Sequence, residues 1–294
     1  MCGYEGKLRQ DIDFSIITPS LNMLDYLQTC VLSIQDQQQI QMEHIVIDGA
    51  STDGTAEWLK GNQHIRSISE KDRGMYDAVN KGLHMARGRI LAWLNCDEQY
   101  LPDALRWVKR YFDTHTDVDM IFGHALLIRP DGTLIAFRKS YRPRWSYILS
   151  SHLYLLTCAM FFRKRIIDDG FFTDSRYRII GDRDFVLRIL KNGYKVKHVD
   201  QYLSVYTMTG QNLSNDNNVQ QERKTLVGRT PAWTPKFSGL LAVARLTEKF
   251  FSGAYFQKMP LEYSVYIDKD AKSRKKFCAR KASFRWKNPP PSRT

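Results

Sequence analysis

Short apolar runs alternate with longer stretches in which apolar residues return every three or four positions, and this rhythm fills the first 130 residues. Phe14–Thr18 reads as a buried strand, followed by a helical pattern from about Asn22 to Asp36. Glu43–Asp48 reads as a second strand that ends in a turn rich in Gly, Ser and Asp. Thr55–Leu59 opens the next helix, with Asp53 or Thr55 placed to cap it. His64–Ser69 is a third, weaker strand, and Gly74–Ala86 a helix with Met75, Val79, Leu83 and Ala86 at helical spacing. Ile90–Leu94 is a fourth strand, and Pro102 suits the first turn of a helix running to about Phe112. Asp119–Ile128 is a fifth strand, and Asp131-Gly132 reads as a hairpin turn.

Alternation at this spacing predicts an α/β fold with a mainly parallel sheet covered on both faces. In such sheets ligands bind beyond the carboxyl ends of the strands. Polar residues fall at those ends: Pro19-Ser20, Asp48, Asp72 and Asp97-Glu98. After residue 130 the rhythm loosens into an α+β half. Strand-like pieces lie at Leu134–Phe137 and Thr157–Phe162, and a helix at about Asp184–Lys191 is stopped by Asn192-Gly193. Further strands are expected near Lys195–Val199 and Tyr202–Tyr206, and a polar loop near Gln211–Gln221. The predicted organisation is an extension at 1–13, a domain at 14–210 with halves 14–130 and 131–210, and a C-terminal extension at 211–294.

Charge sharpens this division. The 294 residues carry a net +13, and residues 236–294 hold 14 Lys/Arg against 4 Asp/Glu. The rest of the chain is nearly balanced, which fits a near-neutral catalytic body with a basic tail and excludes a uniformly basic nucleic-acid binder. The five cysteines (Cys2, Cys30, Cys96, Cys158, Cys278) form no CxxC pair and match no zinc spacing, as expected of free thiols in a reducing compartment. No apolar signal segment is visible at the N-terminus. The longest stretch without Lys, Arg, Asp or Glu, Trp145–Phe162, is too polar for a membrane span. A cytoplasmic location is expected.

Four segments carry candidate chemistry. Asn95-Cys96-Asp97-Glu98 places two adjacent carboxylates after an apolar strand, where a hard divalent cation would relieve their repulsion and dock a diphosphate. The same residues would also make a solvated acidic turn before Pro102. Val46–Thr55 ends a strand with Asp48, whose carboxylate could accept the imide N–H of a pyrimidine; a plain turn uses the same residue types. Ser69–Gly82 holds Asp72 in a charge-laced stretch with no evident nucleophile–base pair. In Gly181–Arg188, Asp184 could cap the helix while Asp182 faces a cleft as a general base. Capping alone would also explain these acids.

Together, Thr18-Pro19-Ser20-Leu21-Asn22, the Ile-Asp-Gly-Ala-Ser-Thr-Asp-Gly-Thr turn, Asp-Arg-Gly-Met-Tyr-Asp-Ala-Val-Asn-Lys-Gly, Leu-Asn-Cys-Asp-Glu and Gly-Asp-Arg-Asp-Phe-Val-Leu-Arg resemble glycosyltransferase family 2. The resemblance covers about residues 14–210 and is to the bacterial surface-glycan type. It implies the GT-A fold, with a Rossmann-like nucleotide-binding half and an acceptor half. It also implies that Asp48 contacts the nucleotide base, with Thr18, Pro19 and Ser20 lining that pocket and Asp72 beside it. Asp97 would lie toward the ribose and share with Glu98 a divalent ion, Mn2+ or Mg2+. Asp182 would be the catalytic base of an inverting enzyme. The implied partners are a nucleotide-sugar donor, UDP-linked, and a saccharide or lipid-linked glycan acceptor.

Two departures from the family pattern stand out. The metal motif ends in Glu98 where Asp is usual, and the segment Tyr206–Ser214 lacks the His often found there. His198 lies upstream on a strand pattern and reads as structural.

The tail lies outside the resemblance. Lys236–Gln257 carries Leu240, Leu241, Val243, Ala244, Phe250, Phe251, Tyr255 and Phe256, compatible with an amphipathic helix. Lys269–Lys287 holds nine Lys/Arg and one Asp, interleaved with Phe277, Phe284 and Trp286. Basic residues beside exposed aromatics suit an anionic membrane surface, so a peripheral position on the inner face of the membrane is expected and no nucleic acid. The overall expectation is a metal-dependent, inverting glycosyltransferase. A polyprenyl-phosphate glycosyltransferase would need no general base, against the presence of Asp182. A catalytically silent binding protein would have no need of Asp48, Asp97, Glu98 and Asp182 together.

Overall fold

The computed structural model describes residues 12–210, 222 and 233–285. The predicted N-terminal extension, the polar loop at 211–221 and Trp286 therefore lie outside the described residues, apart from Ile12 and Asp13. Four parallel strands form the first half of the sheet in the order β3 (Ile65–Ser69), β2 (Met42–Asp48), β1 (Phe14–Ser20) and β4 (Ile90–Trp93). The sheet continues through β8 (Met160–Arg163), β6 (Met120–Ile128), β9 (Val196–Thr207) and β5 (Glu98–Tyr100), and β7 (Leu134–Arg138) pairs on β6. Beyond β4, the strands meet antiparallel except β6 and β9.

All seven residues of β1 are buried, as a continuous apolar strand at the centre of a two-faced sheet requires. Its side chains alternate between two cores. Phe14 and Ile16 meet Cys30 and Ile34 of α1 (Leu24–Gln35) and Leu105, Val108 and Phe112 of α4 (Ala104–Thr114). Ile17 meets Val79 and Leu83 of α3 (Met75–Met85), in a core that also takes Phe185, Val186 and Ile189 of α7 (Gly181–Lys191). The remaining helices are α2 (Thr55–Gly61), α5 (Trp145–Ser150), α6 (Arg165–Asp168) and α8 (Trp233–Phe251). The Asp131-Gly132 turn joins β6 and β7, with Gly132 at φ +87°.

Several local expectations are corrected. The two strands predicted at 195–206 are the single β9. Polar Glu98-Gln99-Tyr100, which shows no strand pattern, pairs antiparallel with β9. Tyr100 drops into the core there, and the Gln99 amide exchanges hydrogen bonds with the Tyr266 backbone at 2.7 and 2.9 Å. Helix α7 starts at Gly181, so Asp184 is inside its first turn and pairs with Arg188 at 2.7 Å instead of capping.

The C-terminal extension is folded onto the body. Strands β10 (Leu261–Val265) and β11 (Lys275–Ala279) form a hairpin, and Leu261, Tyr263 and Val265 share a core with Leu101, Leu126, Ile128, Phe137 and Val205. Phe277 and Phe284 pack against this core, so they are not the exposed aromatics that the tail's composition suggested. Helix α8 lies on α5 through Leu241 and Ala244 and through an Arg144–Glu248 ion pair at 2.6 Å. Its other face leaves Phe237, Leu240, Val243, Phe250 and Phe251 exposed. Among the described residues no helix is long and apolar enough to cross a membrane.

Candidate active site

The carboxyl ends of β1 to β4 converge, and the polar residues there divide into braces and open groups. Asp48 is a brace. It is 0% exposed, and its carboxylate accepts hydrogen bonds from Ser51 N–H at 3.2 and 3.3 Å, from the Ser51 hydroxyl, and from Ser69 Oγ at 2.5 Å. These donors tie the β2 turn to the end of β3, leaving little of the carboxylate for a base. Thr18 is buried too, its hydroxyl 2.9 Å from His44 Nε2 on the neighbouring strand, so it faces the protein interior and not a pocket. Burial drives His44 down to about 3, which keeps its imidazole neutral.

Pro19 and Ser20 end β1 beside this turn, and Gly49 N–H donates to the Ser20 carbonyl at 2.9 Å. Ser20 Oγ is buried with no partner among the described residues, an expensive state that a ligand hydroxyl or carbonyl would relieve. Asp72 is half-buried, with Oδ1 on Gly74 N–H at 2.9 Å. Its Oδ2 lies 3.0 Å from where a Cβ on Gly49 would be, so the absent side chain at Gly49 is what admits Asp72 to the turn.

The two acids after β4 differ. Asp97 is half-buried, whereas Glu98 is 3% exposed and accepts the Asn95 N–H at 2.8 Å through Oε2. Burial, then the charge of Asp97, pushes the Glu98 carboxyl well above the usual carboxylate range. Pairing of β5 with β9 draws Glu98 into the sheet. Asn95 Oδ1 is buried without a hydrogen-bond partner among the described residues. Asn95 and Asp97 thus offer oxygen donors of the kind Mg2+ and Mn2+ take when a diphosphate supplies the rest. Among the described residues, no three His, Cys, Asp or Glu gather into a metal site.

Asp182 closes the site from the acceptor half. Its Oδ1 accepts the Arg183 N–H at 2.7 Å, while the Arg183 guanidinium is held by the Ile148 and Leu149 carbonyls at 3.1 and 2.9 Å. Burial lifts the Asp182 carboxyl to about 6, against the pull of Arg183 and of a hydrogen bond from Tyr76. The charge of Asp182 also raises the Glu98 carboxyl, the smallest of the causes acting there. Gly181 permits the approach, since a Cβ there would meet the Tyr76 ring at 2.7 Å. Glu222 braces the loop before α7, accepting the N–H groups of Arg178, Ile179 and Ile180 at 2.7 to 3.1 Å. Tyr76 and Glu222 were not foreseen from sequence; the only signal for Tyr76 was its place in the Arg73-Gly74-Met75-Tyr76-Asp77 run. A cleft of about 740 Å³, lined by Asp13, Arg87, Arg89, Arg163 and Arg165 among others, holds none of these groups.

A family model described as glycosyl transferase family 2 matches residues 15–187. The chain belongs to that family. Glycosyltransferases of PGL/p-HBAD biosynthesis from Mycobacterium tuberculosis and Mycobacterium bovis are 30% identical over 190 residues, covering 61% of this chain and 70% of theirs. Chondroitin synthase of Pasteurella multocida is 27% identical over 223 residues, 72% of this chain and 22% of its own. Among solved structures, residues 1–349 of S. aureus TarS in complex with UDP-GlcNAc superpose with a TM-score of 0.57 at 13% identity, covering 90% of this chain and 99% of that one. The mannosyltransferase of Pyrobaculum calidifontis in complex with GDP-Man and Mn2+ gives 0.51 at 16% identity, covering 86% and 78%. At these identities the likeness fixes the GT-A fold. As a family 2 glycosyltransferase, the protein is an enzyme that uses a nucleotide-sugar donor.

Proposed function

We propose that this family 2 enzyme transfers a sugar, with inversion, from a UDP-linked donor to a hydroxyl of a saccharide or lipid-linked glycan. The observation that supports the reading is Asp182: a half-buried carboxyl at the start of α7, lifted to about 6 by burial. Such a carboxyl is ionised at neutral pH yet basic enough to take a proton from an attacking hydroxyl. The Arg183 N–H holds it in place, while Tyr76 and Glu222 keep the loop before it from shifting. Pro19, Ser20, Gly49 and Asp72 line the donor's base and ribose in this reading, with Asp48 holding their turn together. Asp97 and Asn95 are the residues that would hold a divalent ion, and Glu98 supports their turn. The ion would neutralise charge on the departing diphosphate. A general base counts against phosphate as the acceptor, since a phosphate oxygen needs no deprotonation. Release of UDP from a panel of UDP-sugars with Mn2+ tests the reading. If no nucleotide sugar is turned over, with or without acceptor, the reading fails.

A cytoplasmic position at an anionic membrane surface completes it. Support comes from α8, where Leu240 is 68% and Phe251 81% exposed on a helix beside a basic hairpin. Retention on anionic but not neutral vesicles, weakening with salt, is the expected behaviour.

A further inference from the structure

A second constellation lies away from the strand-end acids, between β7, the loop after it and α8. Arg138, Lys139, Tyr141, His152, Tyr154, Arg245, Lys249 and Phe284 are among the residues that line a cleft of about 130 Å³ there. Three of its cations have no carboxylate partner among the described residues: Arg138, Arg245 and Lys249. Arg245 reaches the Tyr141 hydroxyl at 3.4 Å, and its Nε is buried with no hydrogen-bond partner among the described residues. Lys249 Nζ sits over the rings of Tyr255 and Phe284, at 4.4 and 5.5 Å from their centroids. The nearest acid on α8, Glu248, is bonded to Arg144.

Cations gathered in a cleft without counter-charge repel one another and lose hydration. The cost is visible at Lys249, which burial, then Arg138 and Arg245, lowers to about 8. A fold that bears this cost has a place for an anion. The space suits one tetrahedral group with a few waters. Two guanidinium forks and an ammonium match its oxygens, since Arg binds such groups in a planar, paired fashion and Lys as a point charge. A nucleic-acid groove would present outward aromatics, whereas Tyr141 and Tyr154 stack on each other at 4.3 Å.

We infer that Arg138, Arg245 and Lys249 form a phosphoryl-binding site separate from the donor site. The phosphoryl group is carried by a lipid headgroup or by a soluble phosphate ester. Exposed Phe250 and Phe251 follow Lys249 directly, and exposed Phe256 packs against Phe250 at 5.7 Å, so hydrocarbon attached to the phosphate would have an apolar bed. The inference does not depend on which sugar is transferred.

The test is thermal unfolding of the full chain in inorganic phosphate, against chloride at equal ionic strength. Phosphate should raise the melting temperature saturably, by roughly a hundredfold shift in the folding equilibrium at 100 times its Kd. Arg138→Gln and Lys249→Gln should each remove that rise, and each should melt above wild type without phosphate because repulsion is relieved. Stabilisation by UDP with Mn2+, measured separately, should be unchanged and so report an intact fold. No phosphate-specific rise in wild type, or an undiminished rise in both variants, overturns the site. Phosphatidylcholine vesicles with and without phosphatidylglycerol then identify the source. Retention on the anionic vesicles alone, competed by phosphate and lost in Phe250→Ser/Phe251→Ser, assigns a lipid; a phosphate response without retention assigns a soluble ester.

Discussion

Tyr76 on α3 donates its phenol hydrogen to the Ile179 carbonyl, 3.0 Å away, just before Asp182 on α7. One residue of the nucleotide half thus steadies the loop that carries the base. Its hydroxyl also lowers the Asp182 carboxyl, which burial would otherwise lift further. Tyr76→Phe should therefore move the acid limb of kcat/KM upward from about 6. Folding stability should fall by about 1 kcal/mol. A pH–rate profile identical to wild type would mean that the phenol only fills space.

Asp182→Asn should slow transfer on the order of 10²–10⁴-fold, with UDP binding nearly unchanged. The same substitution should stabilise the fold. The Asp182 carboxyl moves from 3.8 to about 6 on folding, so the folded state binds its proton more tightly than the unfolded chain does. The resulting penalty is complete above pH 6 and relieved as pH falls toward 4. Removing the charge should recover about 3 kcal/mol at pH 7.5, and well under 1 kcal/mol at pH 4. Chemical denaturation at both pH values checks this.

The adjacent acids Asp97 and Glu98 should separate cleanly on mutation. Asp97→Asn should weaken UDP binding with Mn2+ by about tenfold or more, since it removes a charged oxygen donor from the turn. Glu98→Gln keeps an acceptor for the Asn95 N–H and should change that affinity only slightly. Calorimetry with and without EDTA decides. A larger loss in Glu98→Gln than in Asp97→Asn would restore Glu98 as the ion's ligand.

Much of this site was legible because each strand end carried a polar residue after an apolar run, and period alone located β1 to β4. What could not be read was direction. Thr18 and Ser20 stand two apart on β1, yet one hydroxyl meets His44 and the other has no partner among the described residues. Adjacent Asp97 and Glu98 point to different surroundings because β5 pairs with β9, and a three-residue polar strand leaves no periodic signal. The tail misled for a related reason. Its charge suggested an open surface, but alternating Leu261, Tyr263 and Val265 bury one face of the hairpin.

Asp48 offers a test of bracing against base recognition. Asp48→Ala would leave Ser51 N–H and both serine hydroxyls short of their acceptor in a buried turn. A loss of about 2–4 kcal/mol is expected. Asp48→Asn keeps the acceptor oxygen and should retain much of the stability. If Asp48→Ala melts like wild type and only UDP affinity falls, the carboxylate serves the nucleotide directly.

Arg274 decides whether the basic tail is part of the fold. Its side chain is 7% exposed, bonded to both Asp36 carboxylate oxygens at 2.6 and 2.7 Å and to the carbonyls of Tyr100 and Ser33 at 2.6 and 3.1 Å. It thus ties the hairpin to α1 and β5, and through β5 to the turn that holds Asp97. Arg274→Ala leaves the partly exposed Asp36 carboxylate with the Tyr266 hydroxyl and removes the bonds to the Tyr100 and Ser33 carbonyls, which should cost about 2–3 kcal/mol. Charge on a free tail would behave otherwise: removing one of its nine basic residues would leave stability within about 0.5 kcal/mol. Lys281, on the exposed surface, supplies that comparison. Equal melting temperatures for Arg274→Ala, Lys281→Ala and wild type would make the hairpin an appendage. A selective fall in Arg274→Ala, with weaker UDP binding in the presence of Mn2+, would show that the hairpin supports the donor site from behind.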